Sequence, residues 1–138
     1  MRRSDREITD MDRIMEIVRR QGVCCVAFQN TPCPYLIPMN YGAALENGWL
    51  TLYFHGAAVG TKLDRLNADP HVSFTIVGGS QVSLNFVEAC RSTAGFDSVC
   101  GTGTAELVPA EEKRKGLAVI MNHAAECEAL AAGDGRED

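Results

Sequence analysis

The sequence predicts a mainly β fold of the α+β class, a small barrel of antiparallel strands with flanking helices. Short apolar segments rich in strand-forming residues follow one another at hairpin spacing, and only a few segments show helical periodicity. The chain has 138 residues, of which 46% are hydrophobic, enough for one domain with its own core. We therefore expect a single domain over residues 1–131 and a disordered polar tail over residues 132–138.

The first predicted element is an amphipathic helix. Thr9 or Asp10 can cap its first turn, and Gly22 follows its predicted end near Gln21. Residues at i, i+3, i+4 and i+7 spacing give it one apolar face: Met11, Ile14, Met15 and Val18.

Two strands are predicted after this helix, over residues 23–29 and 35–45, with a proline-containing turn between them. Pro38 lies inside the second strand. Because proline has no N–H to donate to a ladder, Pro38 indicates a sheet edge, a bulge or a strand end.

A hairpin is predicted at Asn47-Gly48, with its return strand over residues 49–54. In that strand the apolar residues alternate with Thr51 and Tyr53. His55 continues the alternation on the face of Thr51 and Tyr53, opposite the apolar side chains.

The second half of the chain is predicted to contain two helices and three further strands. The first helix spans residues 60–67, with Leu63 and Leu66 pointing inward, and Asp69-Pro70 ends it. The remaining elements are predicted in this order: a strand at residues 71–77, a turn at 78–80, a strand at 81–89, a loop at 90–97, a strand at 98–108, and a helix from Pro109 towards Leu130.

Composition narrows the classes of function. The net charge of −5 argues against nonspecific nucleic-acid binding, and no apolar run approaches the roughly 20 residues that span a bilayer. The basic N-terminus has no apolar stretch behind it, so we expect no secretory signal and a cytoplasmic protein. The six cysteines sit in or near apolar segments, without a Cys-x-x-Cys pair, and are predicted to be reduced thiols.

The strongest functional signal is the abrupt end of the strand at His55-Gly56. A helix with a small-residue entry follows, so backbone N–H groups, one imidazole and Lys62 meet at one end of a strand. A helix N-terminus has unpaired donors and partial positive charge, which suits a phosphate. The segment is therefore predicted to hold a nucleotide phosphate.

Other chemistry-bearing residues give weaker signals. His123 and Cys127 are four residues apart on a helix and could share a metal, but no third ligand is evident, so we predict no metal site and a place on the helix surface. Cys24 and Cys25 are adjacent in a strand and point to opposite faces, which places them poorly to bridge each other. His71 is predicted to be a residue at the start of a strand.

Four segments together resemble the flavin-binding split-barrel superfamily, the pyridoxamine-phosphate-oxidase-like proteins, and within it the nitroimidazole-resistance branch. The resemblance covers about residues 1–125. The segments that carry it are Arg2-Arg3-x-Asp5-Arg6-Glu7-Ile8, Tyr35-Leu36-Ile37-Pro38-Met39-Asn40-Tyr41-Gly42, Leu52-Tyr53-Phe54-His55-Gly56-Ala57 with Gly60-x-Lys62, and Ser98-Val99-x-Gly101-x-Gly103.

The resemblance implies a split barrel that forms a homodimer and binds two FMN molecules at the dimer interface. Its cofactor-binding residues fall into three groups. Pro38, Met39, Asn40 and Tyr41 would lie along the isoalloxazine; His55, Gly56, Ala57, Thr61 and Lys62 would surround the phosphate; Ser98 and Val99 would flank the flavin from the second subunit. FAD is the alternative flavin.

The function implied is an oxidoreductase in which FMN passes electrons from NAD(P)H to a small acceptor such as a nitroaromatic. His55 is a weak candidate for a catalytic residue. The alternatives are a flavin- or haem-binding carrier or sensor without turnover, with His55 or His71 as an axial haem ligand, and a dimeric scaffold without a ligand.

Overall fold

We describe the protein from a computed structural model, which covers residues 9–56, 60–83 and 93–133; for residues 79–83 and 93–96 it describes the backbone alone. The elements are α1 (Met11–Arg20), β1 (Val23–Phe28), β2 (Tyr35–Glu46), β3 (Trp49–Phe54), α2 (Thr61–Ala68), β4 (His71–Ser83), β5 (Thr93–Thr104), a 3₁₀ turn (Ala110–Glu112) and α3 (Lys113–Gly133).

The five strands form one antiparallel sheet in the order β3-β2-β1-β4-β5, curled as a half-barrel with helices beside it. This confirms the predicted split-barrel class. β2 is long and changes partner along its length. Its first six residues pair with β1, whereas the stretch from Tyr41 to Glu46 pairs with β3.

Pro38 lies where one side of β2 has no neighbouring strand. Tyr41 donates its backbone N–H to the Gly22 carbonyl on the β1 side, with N···O 3.3 Å. Since backbone groups alternate along a strand, the nitrogen of Pro38 faces the other way, and β3 pairs with β2 only from Tyr41 onward. Pro38 therefore removes no hydrogen bond between strands. Of the three predicted positions (a sheet edge, a bulge or a strand end), the structure confirms a local sheet edge.

One face of the sheet carries the core. Side chains of β1, β2 and β4 pack there against α1, and the buried cluster consists of Val18, Cys24, Val26, Phe28, Tyr41 and Ile76. The apolar residues of β3 (Leu50, Leu52 and Phe54) pack against this cluster, as their alternation predicted. The Asp10 carboxylate accepts from the Asp12 N–H at 3.0 Å, so Asp10 caps α1.

The opposite side of the same strands is mostly exposed, and we call it the outer face. Strand alternation and the pairing register define it as Leu36, Pro38 and Asn40 of β2; Val23, Cys25 and Ala27 of β1; His71, Ser73, Thr75 and Val77 of β4; and Ser98, Cys100, Thr102 and Thr104 of β5. Within the described residues, no helix covers this set of side chains as α1 covers the core face.

The hairpin between β2 and β3 is as predicted. Asn47 and Gly48 have φ of 54° and 81°, the left-handed pair that a two-residue type I′ turn requires. The return strand has the predicted bounds, Trp49–Phe54.

The largest difference from the sequence prediction is at residues 78–80. The predicted turn is wrong, because β4 continues through these residues to Ser83 and its register with β5 shifts between Gly78 and Gln81. The glycines mark a bulge inside a long strand. The predicted strand at 81–89 is therefore the end of β4 as far as Ser83, and residues 84–89 lie outside the described residues.

The first and last residues of β5 and the last residue of α3 also differ from the sequence prediction. Residues 93–97 belong to β5 and not to a loop, while β5 ends at Thr104 and not at Val108. α3 reaches Gly133, two residues beyond the predicted domain end, and residues 134–138 lie outside the described part. Among the described residues, no helix is both long and apolar enough to cross a membrane.

α3 lies directly against the second half of β2. A Cβ added to Gly42 would stand 2.5 Å from the Ile120 Cα, closer than any real contact. The absence of a side chain at Gly42 therefore sets the distance between α3 and the sheet.

Candidate functional site

The predicted phosphate site lies where β3 ends and α2 begins. The β2–β3 ladder ends at the pair Tyr41–Phe54, so His55 and Gly56 follow its last rung, and both are exposed. Ala57 lies outside the described residues.

Lys62 folds back from the first turn of α2 onto this strand end. Its ammonium nitrogen is 3.1 Å from the position that a Cβ on Gly56 would occupy. Gly60, with φ of 139°, is the N-cap of α2 and supplies no side-chain cap, so no capping side chain occupies the first N–H groups of the helix. The structure thus brings the Lys62 ammonium to Gly56, and Thr61 precedes Lys62 as the first residue of α2.

The predicted ring-binding strand presents its residues in two directions. Pro38 and Asn40 are exposed on the outer face, whereas Met39 packs against the core. The side of β2 that faces away from β1 carries the backbone groups of Leu36 and Asn40, and β3 does not reach them. A ligand at this edge would meet an unpaired stretch of backbone.

The side chain of Tyr41 belongs to the core. It is 2% exposed, its hydroxyl donates to the Val18 carbonyl, and its ring centroid is 4.6 Å from that of His123. Burial raises its pKa well above the usual range, so the hydroxyl keeps its proton and remains a donor. Any contact of Tyr41 with a ligand would therefore use its backbone.

Ser98 and Val99 lie on β5, three strands away from β2 in the sheet. Val99 packs against the core, and Ser98 pairs with Val77 and is exposed. The single chain therefore places Ser98 on the same outer face as Pro38 and Asn40 but at the far strand. The cross-strand row between them runs Pro38, Cys25, Thr75, Cys100, with the Thr75 hydroxyl 3.2 Å from the Cys100 sulfur.

The outer face carries three exposed aliphatic side chains, one each on β1, β2 and β4. Val23, Leu36 and Val77 are 51%, 64% and 50% exposed.

His123 and Cys127 have a role that the sequence analysis missed. The prediction of a helix surface is wrong for His123, which is 4% exposed with its Nε2 2.7 Å from the Gln21 carbonyl. The Cys127 thiol donates to the Arg20 carbonyl at 3.2 Å. With Tyr41, which donates to the Val18 carbonyl, these side chains supply hydrogen-bond partners to carbonyls at the end of α1. The available signal was the spacing of Gly116, Ile120, His123 and Cys127, which forms one helical stripe.

A cavity of about 490 Å³ opens at the other end of the outer face. It lies between the end of β1, the start of β4 and the end of β5, away from the strand end at His55-Gly56. His71, predicted at a strand start, is the first residue of β4 and lines the cavity. Its Nδ1 is 2.7 Å from an oxygen of Asp69, which also accepts the His71 backbone N–H at 3.0 Å. These two contacts lower the pKa of Asp69.

Comparisons with known proteins agree on the fold. The profile of the family described as Pyridoxamine 5'-phosphate oxidase matches residues 10–134. A search of curated proteins gave no match. Among solved structures, a candidate 5-nitroimidazole antibiotic resistance protein from Bacteroides thetaiotaomicron shares 31% identity and a TM-score of 0.68, over 84% of this chain and 67% of that one.

Two more distant structures share the fold. An FAD- and haem-binding protein from Mycobacterium smegmatis has 16% identity and a TM-score of 0.72, over 89% of this chain and 58% of that one. A flavocytochrome from Azotobacter vinelandii has 18% identity and a TM-score of 0.66, over 83% of this chain and 51% of that one. The chain thus spans between half and two thirds of the length of these structures.

Proposed function

Because the chain belongs to the pyridoxamine 5'-phosphate oxidase family, we propose that it binds a flavin, FMN with FAD as the alternative, and reduces a small acceptor such as a nitroaromatic. The branch that contains nitroimidazole-resistance proteins is supported by the 31% identity to the Bacteroides thetaiotaomicron protein. NAD(P)H is the proposed electron donor.

The observation that carries the proposal is the Lys62 ammonium at Gly56. A phosphate placed there would meet a cation, the Thr61 hydroxyl and the first N–H groups of α2, and the missing side chain at Gly56 leaves room for the approach. The lysine cation and the helix N-terminus both attract a phosphate. The residues present therefore fit the phosphate end of a flavin mononucleotide.

The ring would lie along the edge of β2 that β3 leaves free. Backbone groups near Asn40 supply donors and acceptors for the polar edge of the isoalloxazine, and Pro38 removes one competing donor. The bound flavin supplies the redox chemistry, and the chain supplies binding, orientation and exclusion of water.

A second copy of the chain completes the proposed site. Ser98 cannot reach the flavin of its own chain without crossing β4 and β1, but it shares the outer face with Pro38. Pairing of two outer faces would bury Val23, Leu36 and Val77 and bring Ser98 of one copy towards Asn40 of the other. The homodimer is thus proposed from the exposed apolar surface and from the separation of the two groups of residues.

His55 is assigned a binding role beside the phosphate. It is exposed at the strand end, and among the described residues no carboxylate is within hydrogen-bond distance of its ring. An imidazole without such a partner is not oriented as a general base usually is. Its role as a catalytic residue stays a prediction.

The absorbance spectrum of the purified protein gives the first test. Flavin bands that bleach with NAD(P)H and recover with a nitroaromatic support the proposal. Flavin bands that neither nicotinamide donor bleaches would indicate a carrier or sensor, a Soret band would indicate haem instead, and a bare protein spectrum after incubation with FMN would indicate a scaffold.

A charge deletion tests the phosphate site itself. Lys62→Ala should weaken FMN binding by about 10-fold or more and leave riboflavin binding unchanged, because riboflavin has no phosphate. Lys113→Ala, an exposed lysine at the start of α3, is the matched control. Equal losses for FMN and riboflavin would remove Lys62 from the site.

A further inference from the structure

Helix α2 carries the proposed phosphate site but has few contacts that hold it in place. It has eight residues, none of its side chains is buried, and its N-cap Gly60 contributes no side-chain hydrogen bond. Isolated helices shorter than about 12 residues are hardly stable in water, so α2 depends on contacts with the rest of the chain. The position of Lys62 depends on those same contacts, because Lys62 lies in the first turn of α2.

Leu66 and Arg65 join the second half of α2 to the sheet. Leu66 packs against the core cluster, but apolar contact is non-directional and does not fix how the helix is oriented. The Arg65 guanidinium donates from Nη1 to the side-chain oxygen of Asn30 at 2.7 Å. Asn30 follows β1, so this hydrogen bond joins α2 to the segment between β1 and β2.

The link between Arg65 and Asn30 differs from an ordinary contact between surface side chains. The Nε atom of Arg65 is closed off from solvent and has no hydrogen-bond partner among the described residues. Contacts between exposed side chains usually contribute little, because both side chains lose rotational freedom when the contact forms. The atoms that enclose Nε already restrict the Arg65 side chain, so its hydrogen bond to Asn30 is a fixed connection.

Arg65 and Lys62 share one side of α2 but reach different places. They are three positions apart in the helix. The Lys62 ammonium lies at Gly56 beyond the end of β3, whereas the Arg65 guanidinium lies at Asn30 beyond the end of β1. β2 lies between these two strands, which separates their positions by about 10 Å across the sheet. A phosphate at Gly56 would therefore contact Lys62 and not Arg65.

We propose that Arg65 is a positioning residue: through its hydrogen bond with Asn30 it fixes α2, and so keeps the Lys62 ammonium at Gly56 for a phosphate. The inference rests on the proposed function for the phosphate that Lys62 contacts. The attachment of α2 is a property of the chain without flavin, so it is measured separately.

The decisive variant is Asn30→Ala, because it removes the acceptor of Arg65 and leaves every cation in place. It should weaken FMN binding by about 5-fold and riboflavin binding by less than about 2-fold, since only FMN has a phosphate for Lys62. Asn30→Asp, which keeps an acceptor oxygen for Arg65, should restore FMN affinity to within about 2-fold of the natural chain. Asn67→Ala, at an exposed asparagine of α2, is the matched control.

A double-mutant cycle with Lys62 distinguishes positioning from general support of the fold. In a Lys62→Ala background, Asn30→Ala should change FMN affinity by less than about 2-fold, because the group that α2 positions is already absent. A second loss of about 5-fold in that background would overturn the proposal. Equal losses of FMN and riboflavin binding in Asn30→Ala alone would overturn it as well.

Amide hydrogen exchange in the chain without flavin measures how firmly α2 is held. The Asp64 N–H, which donates to the Gly60 carbonyl at 3.1 Å, should exchange at least about 3-fold faster in Asn30→Ala. The Ile14 N–H of α1, which donates to the Asp10 carbonyl at 3.0 Å, is the internal reference and should not change. An unchanged Asp64 exchange rate would contradict the role of Asn30 in holding α2.

The two measurements keep this proposal apart from the proposed function. A natural chain that binds no FMN refutes the flavin-dependent function, and faster Asp64 exchange in Asn30→Ala then still supports the attachment of α2 through Arg65. Normal FMN binding that Asn30→Ala leaves unchanged refutes the positioning role alone.

Discussion

Cys24 and Cys25 are adjacent in β1 and lie in opposite environments, which makes them a direct comparison of the two faces of the sheet. Cys24 is 0% exposed within the core, and its pKa is raised to about 11, chiefly by burial. Cys25 lies on the outer face, in the row with Pro38, Thr75 and Cys100. Among the described residues, the chain's own helices cover the core face, whereas the outer face carries exposed apolar groups, thiols and the cavity beside His71.

The comparison is sharpest at Ile76 and Val77, which are neighbours in β4. Ile76 is 0% exposed and Val77 is 50% exposed. Ile76→Ala should lower the free energy of unfolding by about 2–5 kcal/mol, because it leaves a cavity in the core. Val77→Ala should change the stability of the isolated chain by about 0.5 kcal/mol or less.

Denaturant unfolding measures the stability of the Ile76 and Val77 variants, and sedimentation measures their self-association. If the proposed homodimer pairs the outer faces, Val77→Asp should abolish its self-association, since a carboxylate would be buried at the interface. Thr51→Asp, on β3 away from the outer face, is the control. A Val77→Asp chain that stays dimeric would place the second copy elsewhere.

Thiol reactivity gives the next largest difference between the faces. In chains that keep a single cysteine, Cys25 should react with a thiol reagent at pH 8 at least about 100-fold faster than Cys24, because the thiolate is the reactive form and a pKa near 11 leaves little of it. The rates are measured in dilute protein and again in denaturant, where the two should become similar. Equal rates in the folded chain would contradict the assignment of the two faces.

A third prediction concerns how β2, the strand proposed to bind the flavin ring, is held from the core side. Tyr41→Phe should lower the free energy of unfolding by about 1–2 kcal/mol, because the Val18 carbonyl at the end of α1 loses its side-chain donor and keeps only the long hydrogen bond from the Gln21 N–H at 3.4 Å. The loss should appear in thermal unfolding, with riboflavin affinity little changed. Tyr35→Phe is the matched control, since Tyr35 packs against the core through its ring.

The features that the sequence predicted correctly are those that depend on residues close together in the chain. Asn47-Gly48 determines the hairpin, and the alternation around Leu52 determines which side of β3 is buried, so both predictions are confirmed. The glycines at 78–80 were misread as a turn because a bulge and a turn have the same composition. Only the pairing with β5 distinguishes them.

The candidate site also has one part that local sequence predicts and one part that depends on distant segments of the chain. Gly56 and Lys62 are six residues apart, and a strand followed by a helix brings them together in a predictable manner. The cavity at His71 joins β1, β4 and β5, and its existence follows from strand order, which no local pattern encodes. His123 was placed on a surface because its neighbour, the end of α1, is more than 100 residues away in sequence.

The smallest expected effect lies at the far end of β2, where α3 covers the strand. The Tyr53 hydroxyl donates to Glu46 at 2.6 Å, and the Lys115 ammonium lies 3.2 Å from the same oxygen. The Tyr53 hydrogen bond first, and Lys115 second, lower the pKa of Glu46. A lowered carboxylate pKa stabilises the fold above the unfolded value, and the contribution is lost as the pH falls through the folded value.

Glu46→Gln should therefore lower the melting temperature by about 2 °C or less at pH 7, and the two chains should converge below about pH 4. Glu126→Gln, an exposed glutamate on α3, is the control for charge alone. A difference between the chains that persists unchanged at pH 3 would mean that the carboxylate charge does not hold this end of β2. The attachment of α3 to β2 would then rest on the Gly42–Ile120 contact, because that packing does not depend on pH.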